Sequence, residues 1–180
     1  MLNHVLSTRV TAIDAVSKSI TTSGGYDVSY DILVLATGSN AVVPEKTPGH
    51  DSNGVFVYRN LDDLEHLISF STTVSGTTGC VVGGGLLGLE AAKAMMDLQQ
   101  FKSVKLIDKN PWVLSRQLDQ DAGRLVIEKV TELGLDVMSC KMIRTINVGP
   151  DNKTESVTFE DGDTMECSCI CFAVGACHTP

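Results

Sequence analysis

The stretch Cys80-Val81-Val82-Gly83-Gly84-Gly85-Leu86-Leu87-Gly88 decides the fold of this chain. A short apolar run precedes glycines in the spacing G-x-G-x-x-G, and a helical segment follows them. In this spacing Gly83 permits a tight turn, Gly85 lets the backbone approach a pyrophosphate, and Gly88 lets a helix pack closely on a strand. Free N–H groups and the positive helix end then face the phosphates. The stretch predicts a dinucleotide-binding turn, and a glycine-rich turn of purely structural role is the alternative.

The segments around these glycines alternate between strand and helix. Helices are predicted at Leu86–Gln99 and Asp119–Leu133, and strands at Cys80–Val82, Ser103–Asp108 and Leu135–Ser139. This order is typical of a parallel sheet built from βαβ units. A three-stranded β-meander and a buried strand are predicted to complete this part of the chain, at Lys141–Val148, Glu155–Glu160, Thr164–Cys169 and Ile170–Ala173.

Asp108 ends the second predicted strand, about 20 residues after Gly88. A carboxylate in this position is placed to accept hydrogen bonds from both ribose hydroxyls. Its charge favours NAD over NADP, because a 2'-phosphate would meet a negative group. Lys109 would partly offset that repulsion, or it is a solvated surface lysine. Use of both cofactors therefore stays open.

Two further features of the glycine-loop helix have ordinary structural interpretations. Glu90 lies on one polar stripe with Lys93, where the two predict an exposed i,i+3 ion pair contributing about 0.2 to 0.5 kcal/mol. Met95 and Met96 are predicted to pack in the core. No catalytic nucleophile and no metal site is predicted anywhere in the sequence.

The first part of the chain resembles a piece of the last part. Val10–Asp14 is similar to Ile143–Asn147, and Ile32–Gly38 is similar to Ile170–Gly175. Only the second copy has a βαβαβ unit, so we interpret the first as the β half of a second dinucleotide-binding fold, with chance similarity as the alternative. The run Ile32–Ala36 predicts a strand buried on both faces, and exposed apolar surface where its neighbours are missing.

Composition excludes several classes of protein. The net charge of −8 argues against nucleic acid and anionic membranes as partners. Hydrophobic residues make up 43% and charged residues 20%, as in a globular protein with a packed core. The runs free of polar residues and glycine, such as Ile32–Ala36, are far shorter than the roughly 20 residues of a membrane span. The N-terminus has no secretory signal pattern, so we expect a cytoplasmic protein.

The six cysteines are expected to be reduced thiols. No C-x-x-C pair is present, which argues against a redox-active dithiol and against a thiolate zinc site. Cys167, Cys169 and Cys171 are predicted to share one face of an extended segment. They are interpreted as small buried strand residues rather than metal ligands.

Several motifs resemble the pyridine nucleotide-disulfide oxidoreductase family, namely YDILVLATGS at Tyr30–Ser39, VVGGGLLGLEAA at Val81–Ala92 and the AVG at Ala173–Gly175. More narrowly, Val55–Leu67 and Arg116–Leu135 are similar to the FAD/NAD(P)H-binding region of assimilatory NAD(P)H nitrite reductases. The resemblance implies an α/β fold: a Rossmann-like doubly wound NAD(P)-binding domain with a β-meander, plus the partial β half of an FAD-binding domain. The expected domains are residues 1–56 (partial FAD-binding), 57–78 (connecting helix and linker) and 79–177 (NAD(P)H-binding).

The resemblance also implies a function and roles for residues. In the family, NAD(P)H passes hydride to FAD, and electrons continue to iron-sulfur and sirohaem centres that reduce nitrite to ammonia in nitrate assimilation. By match of motif, Gly83, Gly85 and Gly88 contact the NAD(P)H pyrophosphate, Glu90 lies near the nicotinamide amide, and Asp108 binds ribose. Thr37 and Gly38 lie against FAD by the same match, and Gly175 is counted among the cofactor-binding residues.

The chain departs from the family pattern in ways that limit this expectation. The glycine loop that cradles the FAD pyrophosphate is absent from the sequence, so we do not expect FAD to bind to this chain alone. The iron-sulfur and sirohaem centres are expected only in further parts of a reductase, which would be its partners. We therefore expect a fragment inactive by itself. A ferredoxin or rubredoxin reductase fragment, or a non-catalytic NAD(H)-binding module, is the alternative.

Overall fold

The computed structural model describes residues 4–178, and its internal contacts divide the chain into two compact units after Gly38. The first unit contains an antiparallel sheet with strand order β1-β2-β3, formed by β1 (Val10–Asp14), β2 (Ser19–Thr22) and β3 (Asp27–Ser29). Residues of β1 and β3 are exposed throughout, and Thr22 is buried, with its Oγ1 donating to the Tyr26 carbonyl.

The predicted buried strand at Ile32–Ala36 is wrong. Residues 30–38 form no strand, and Ile32 and Val34 expose 85% and 79% of their surface. A strand buried on both faces needs a hydrogen-bonded neighbour at each edge, whereas the described strands of this unit pair only with one another. The expected exposure of apolar surface along this run is confirmed.

The second unit contains the remaining helices and strands. In chain order they are β4 (Ser39–Ala41), β5 (Val55–Val57), α1 (Leu61–Ser71), β6 (Thr78–Val82), α2 (Leu86–Asp97), β7 (Ser103–Asp108), α3 (Gln120–Glu132), β8 (Asp136–Ser139), β9 (Ile143–Val148), β10 (Thr154–Phe159), β11 (Thr164–Glu166), β12 (Cys169–Phe172) and β13 (Ala176–His178). A single 3-10 turn, Thr72–Val74, follows α1.

Five strands form an all-parallel sheet in the order β5-β12-β6-β7-β8. The predicted βαβαβ unit and the predicted meander are confirmed, the latter as the antiparallel sheet β11-β10-β9. An antiparallel ribbon of β4 and β13 was not predicted, because three-residue strands carry no alternation that a sequence pattern could reveal.

The parallel sheet is covered on both faces, and alternate residues of each strand enter two different cores. Val81 and Leu106 pack with side chains from the helices, such as Met95 of α2, and form the helix-side core. Their neighbours Cys80 and Ile107 pack against the meander and form the meander-side core. The α/β class is confirmed, and the meander covers the face where a doubly wound sheet would carry its second helix layer.

Segments near residues 57–78 belong to this sheet domain. Val55 of β5 pairs with Ile170 of β12, and Leu67 of α1 is 1% exposed within the helix-side core. The stretch interpreted as a linker contains the end of α1, the 3-10 turn and the start of β6. The compact units divide after Gly38, and the domain boundaries at residues 56 and 78 stay a prediction.

Local signals explain where the helices begin and end. Asn60 caps α1 in a capping box, with its Oδ1 accepting from the Asp63 N–H at 2.8 Å and the Asp63 carboxylate accepting from the Asn60 N–H at 3.1 Å. Asp119 caps α3 through the Ala122 N–H. Gly134, at φ +96°, lies immediately beyond α3 and its C-cap, as predicted from the sequence.

Candidate functional site

The glycine loop lies at the carboxyl end of β6, where the order of the sheet changes direction. From β6 the chain moves outward through β7 to β8, and it then returns through the meander to β12 on the other side of β6. Ligands of open parallel sheets bind in the crevice at such a switch point. The topology therefore places the predicted dinucleotide loop at the expected edge of the sheet.

Two glycines of the loop have no room for a side chain, whereas a third has open space beside it. Gly83 has φ +115°, and a Cβ there would lie 2.6 Å from the Ala173 carbonyl oxygen. A Cβ on Gly88 would lie 1.7 Å from the Gly83 oxygen, so the packing of α2 on the loop excludes it. A Cβ on Gly85 would meet nothing within 4 Å. The space beside Gly85 is therefore not filled by the protein, as expected of a loop that a ligand approaches closely.

The first turn of α2 directs backbone N–H groups toward the position that an anion would occupy. Gly85 is the N-cap residue, and glycine has no side chain that could cap the N–H groups that follow it. The first N–H groups of a helix have no partner within the helix, and the helix dipole makes this end positive. Both properties fit a pyrophosphate.

Asp108 connects the loop after β7 to the glycine loop. Its side chain is only 6% exposed, and its Oδ2 accepts a hydrogen bond from the Gly84 N–H at 2.7 Å. Its Oδ1 accepts from the backbone N–H and the Nδ2 of Asn110, at 2.9 and 3.0 Å. A carboxylate has about four acceptor positions, so about one is left on Oδ2 for a ribose hydroxyl rather than the two that the sequence suggested.

A cleft of about 460 Å³ opens along this edge of the sheet. Of the residues proposed from the sequence, Gly83, Gly85, Asp108, Lys109 and Gly175 line it. Gly88 lies beneath the loop and is buried. The structure thus brings together the glycines, the carboxylate at the end of β7 and the AVG segment after β12.

Other proposed residues lie elsewhere. Thr37 and Gly38 are exposed residues of the first unit. Glu90 is exposed on α2 and does not line the cleft. The ion pair expected between Glu90 and Lys93 is wrong, because Lys93 pairs with Asp97 one turn further along the helix.

Glu90 does act on its surroundings electrostatically. The pKa of Tyr58 is raised, first by burial of the phenol and then by the negative charge of Glu90. Tyr58 comes directly after β5 and packs against the helix-side core. The Glu90 carboxylate therefore lies close enough to Tyr58 for its charge to act on the phenol.

Two cations in the cleft were not identified as site residues from the sequence. Arg116 and Lys141 line it together with Lys109. Lys141 forms ion pairs with Asp161 at 2.5 Å and Asp163 at 2.6 Å, which raise the pKa of Lys141. Asp161 and Asp163 lie 20 and 22 positions after Lys141 in the chain, and no local sequence pattern signals such a contact.

The cysteines do not form a chemical site in residues 4–178. All six are free thiols, and Cys80, Cys167, Cys169 and Cys171 are buried. Burial raises the pKa of Cys171 to about 12, so this thiol stays protonated and unreactive. No group of three or more His, Cys, Asp or Glu side chains with metal-binding geometry occurs in this part of the chain.

The prediction that Cys167, Cys169 and Cys171 share one face is wrong. Cys169 and Cys171 enter the helix-side core, whereas Cys167 precedes β12 and enters the meander-side core beside Cys80. The interpretation of these residues as small buried strand residues is confirmed for Cys169 and Cys171. Met95 is buried and Met96 packs against the same core, as predicted. No helix within the described range is long and apolar enough to cross a membrane.

Comparison with known proteins relates the chain to one family and to several nitrite reductases. The sequence pattern of the pyridine nucleotide-disulphide oxidoreductase family matches residues 2–179. The chain is 57% identical over 173 residues to an NAD(P)H nitrite reductase of Emericella nidulans, covering 96% of this chain and 16% of that protein. It is 35% identical to the large subunit of an NAD(P)H nitrite reductase of Klebsiella oxytoca, covering 94% of this chain and 17% of the relative.

A solved structure shows the same fold. The NAD-dependent persulfide reductase from A. fulgidus superposes with a TM-score of 0.82 at 25% sequence identity, covering 94% of this chain and 31% of the other. In each comparison the chain spans a minor part of a longer protein.

Proposed function

The chain belongs to the pyridine nucleotide-disulphide oxidoreductase family, and from that premise we propose that it is the NAD(P)H-binding part of an NAD(P)H nitrite reductase. The observation that carries the proposal is the cradle at Gly83–Gly88, in which Gly85 faces space that the protein does not fill. The nitrite reductases that the chain resembles support the identity of the larger enzyme. In such a reductase NAD(P)H supplies hydride, and nitrite is reduced to ammonia.

The residues of the cleft suggest how the dinucleotide lies. We place the pyrophosphate at Gly85, against the uncapped N-terminus of α2. The adenosine ribose would then donate a hydroxyl hydrogen bond to the remaining acceptor position of Asp108. The opposite end of the cleft lies beside Gly175, and the nicotinamide is proposed to extend in that direction. On the strength of the family motif alone, Glu90 is proposed as a contact of the nicotinamide amide.

The fit to FAD is different. Among residues 4–178 there is one strand, glycine loop and helix cradle, and it fits one dinucleotide. The residues present do not supply a second cradle, so we do not assign FAD binding to this chain alone. Thr37 and Gly38 are proposed to face FAD only when further parts of the reductase are present. The iron-sulfur and sirohaem centres are likewise assigned to those parts.

We propose the cytoplasm as the location of the protein. All six cysteines are free thiols, and the Sγ atoms of Cys80 and Cys167 lie 4.0 Å apart without a disulfide bond. Reduced thiols are typical of cytosolic proteins.

The test is an NADH titration of the chain and its Gly85→Ala variant. Trp112 is the single tryptophan and lies in the loop that follows Asp108, and we expect its fluorescence to change when NADH binds. The new methyl group meets no protein atom within 4 Å, and we expect the free energy of unfolding to change by less than about 1 kcal/mol. NADH affinity should fall by about tenfold or more, since the methyl group occupies the space where a pyrophosphate approaches.

Gly76→Ala is the matched control. Its Cβ also meets nothing within 4 Å, but Gly76 lies before β6 and away from the cleft. Its φ of +80° strains any other residue, so this variant loses stability, by about 1 kcal/mol, without losing affinity. A wild-type chain that binds neither NADH nor NADPH would refute the proposed function.

A further inference from the structure

We propose that the ion-pair cluster of Lys141, Asp161 and Asp163 weakens the binding of NADPH relative to NADH in the cleft, by keeping the Lys141 ammonium away from a 2'-phosphate. This inference rests on the proposed function. It concerns residues that no sequence motif identified and that contact one another rather than the glycine loop.

Lys141 lies next to the residue proposed to bind ribose. Its backbone N–H donates to the Asp108 carbonyl oxygen at 3.0 Å, and Lys141 lines the cleft together with Lys109. The 2'-phosphate of NADPH is attached to the same adenosine ribose, so it would enter the cleft close to Lys141. A cation in this position would attract the phosphate if its charge were available.

The Lys141 ammonium already forms ion pairs with two carboxylates. Its Nζ is 2.5 Å from the Asp161 carboxylate, 2.6 Å from the Asp163 carboxylate and 5.2 Å from the centre of the Phe159 ring. The side chain of Lys141 is 20% exposed, whereas those of Asp161 and Asp163 are 50% and 71% exposed. The lysine is therefore held against the meander by two carboxylates that lie in the turn between β10 and β11.

A second cavity shares Lys109, Lys141 and Met142 with the cleft, and we expect the 2'-phosphate to enter it. It has a volume of about 170 Å³ and is lined by Lys109, Lys141, Cys140, Met142, Glu160 and Asp161. A water molecule takes about 30 Å³ of liquid, so the cavity has room for a phosphate group. With Lys141 paired to two carboxylates and Glu160 adjacent, Lys109 is the one cation of this lining without an ion pair among residues 4–178. A dianionic phosphate would therefore meet an excess of negative charge, whereas NADH carries no group there.

The test is the double variant Asp161→Asn/Asp163→Asn. Asparagine can still accept the 3.1 Å hydrogen bond that Asp161 Oδ1 accepts from the Asp163 N–H, so the turn is preserved. The variant removes two negative charges and releases Lys141. We expect NADPH affinity to rise by about tenfold in low salt, and NADH affinity to stay within about twofold. Both are measured by fluorescence titration of Trp112.

Two further variants identify the cause. Asp97→Asn/Glu132→Gln removes the same number of charges from ion pairs with Lys93 and Lys129 on α2 and α3, and should leave both affinities unchanged. Adding Lys141→Gln to the Asp161/Asp163 double variant should abolish the gain in NADPH affinity. A gain that survives this third substitution, or no gain in the double variant, would overturn the inference. If the wild-type chain binds NADH but the double variant keeps the wild-type preference for NADH over NADPH, only this inference is refuted. The proposed function then stands.

Discussion

Asp108→Asn is the substitution that tests the architecture of the site most directly, because it keeps the shape of the side chain and removes its charge. An amide has one acceptor oxygen. If that oxygen faces Asn110, the amide NH₂ faces the Gly84 N–H, which is buried and loses its partner at a cost of about 1 to 3 kcal/mol. The two bonds from Asn110 become neutral and lose about 1 kcal/mol each.

Together these losses predict that Asp108→Asn lowers the free energy of unfolding by about 3 to 5 kcal/mol, a large share of the 5 to 15 kcal/mol typical of a domain. Urea unfolding followed by Trp112 fluorescence and far-UV circular dichroism measures it. Asp136→Asn is the matched control. The Asp136 carboxylate lies at the start of β8, is 56% exposed and pairs with Lys105, so its loss should cost less than about 1 kcal/mol.

Equal losses for the two variants would refute the reasoning, because a carboxylate without a structural role should behave like the exposed one. The same Asp108 variant should also weaken NADH binding, since both the glycine loop and the remaining ribose acceptor are affected. A fully stable Asp108→Asn protein with weakened NADH binding would show that the carboxylate acts on the ligand alone.

Three other predictions follow from the same geometry. Gly88→Ala should unfold the domain or lower its melting temperature sharply, because the new Cβ would lie 1.7 Å from a backbone oxygen that cannot move away; circular dichroism against temperature measures this. A thiol reagent should modify only the exposed Cys140 and Cys177 rapidly in native protein and all six cysteines in urea; fast modification of more than two thiols would contradict the described burial. Burial raises the pKa of Cys171 to about 12, whereas an unfolded thiol has a pKa of about 8.5. The folded state therefore binds more protons above pH 8.5, and the free energy of unfolding should fall there by up to about 1.4 kcal/mol per pH unit for this thiol. Urea unfolding of wild type and Cys171→Ala at pH 8, 9 and 10 under reducing conditions measures this, and equal slopes for the two would contradict it.

The parts of the fold that the sequence predicted well are those with local signals. The bounds of α2 and α3 were predicted to within two residues, because apolar periodicity, the cap at Asp119 and the stop at Gly134 act over one or two turns. The pairing of Val55 with Ile170 joins residues far apart in the chain, and neither segment has a pattern that names its partner. The run Ile32–Ala36 shows the opposite failure, since a strong local strand pattern forms no strand without neighbours.

The candidate site divides in the same way. The glycine spacing and Asp108 were readable because a motif of fixed spacing lies within one βαβ unit. The contacts that give Asp108 its structural role could not be predicted from the sequence, because the hydrogen bond from the Gly84 N–H to the Asp108 carboxylate joins two separate loops. Lys141 was missed for a related reason: its partners Asp161 and Asp163 are brought to it by the meander and not by the helix that carries the motif.

The glycine loop shows why a motif alone does not separate binding residues from structural ones. Gly83 and Gly88 are required by the chain itself, because the protein fills the space where their side chains would be. Gly84 is required for the same reason, since its Cβ would lie 2.1 Å from Asp108 Oδ2. Gly85 alone of these four has a φ of −81° and open space at its Cβ, so nothing in the folded protein requires glycine there. A glycine that folding does not need and a ligand would need is the position at which binding and stability can be separated by experiment.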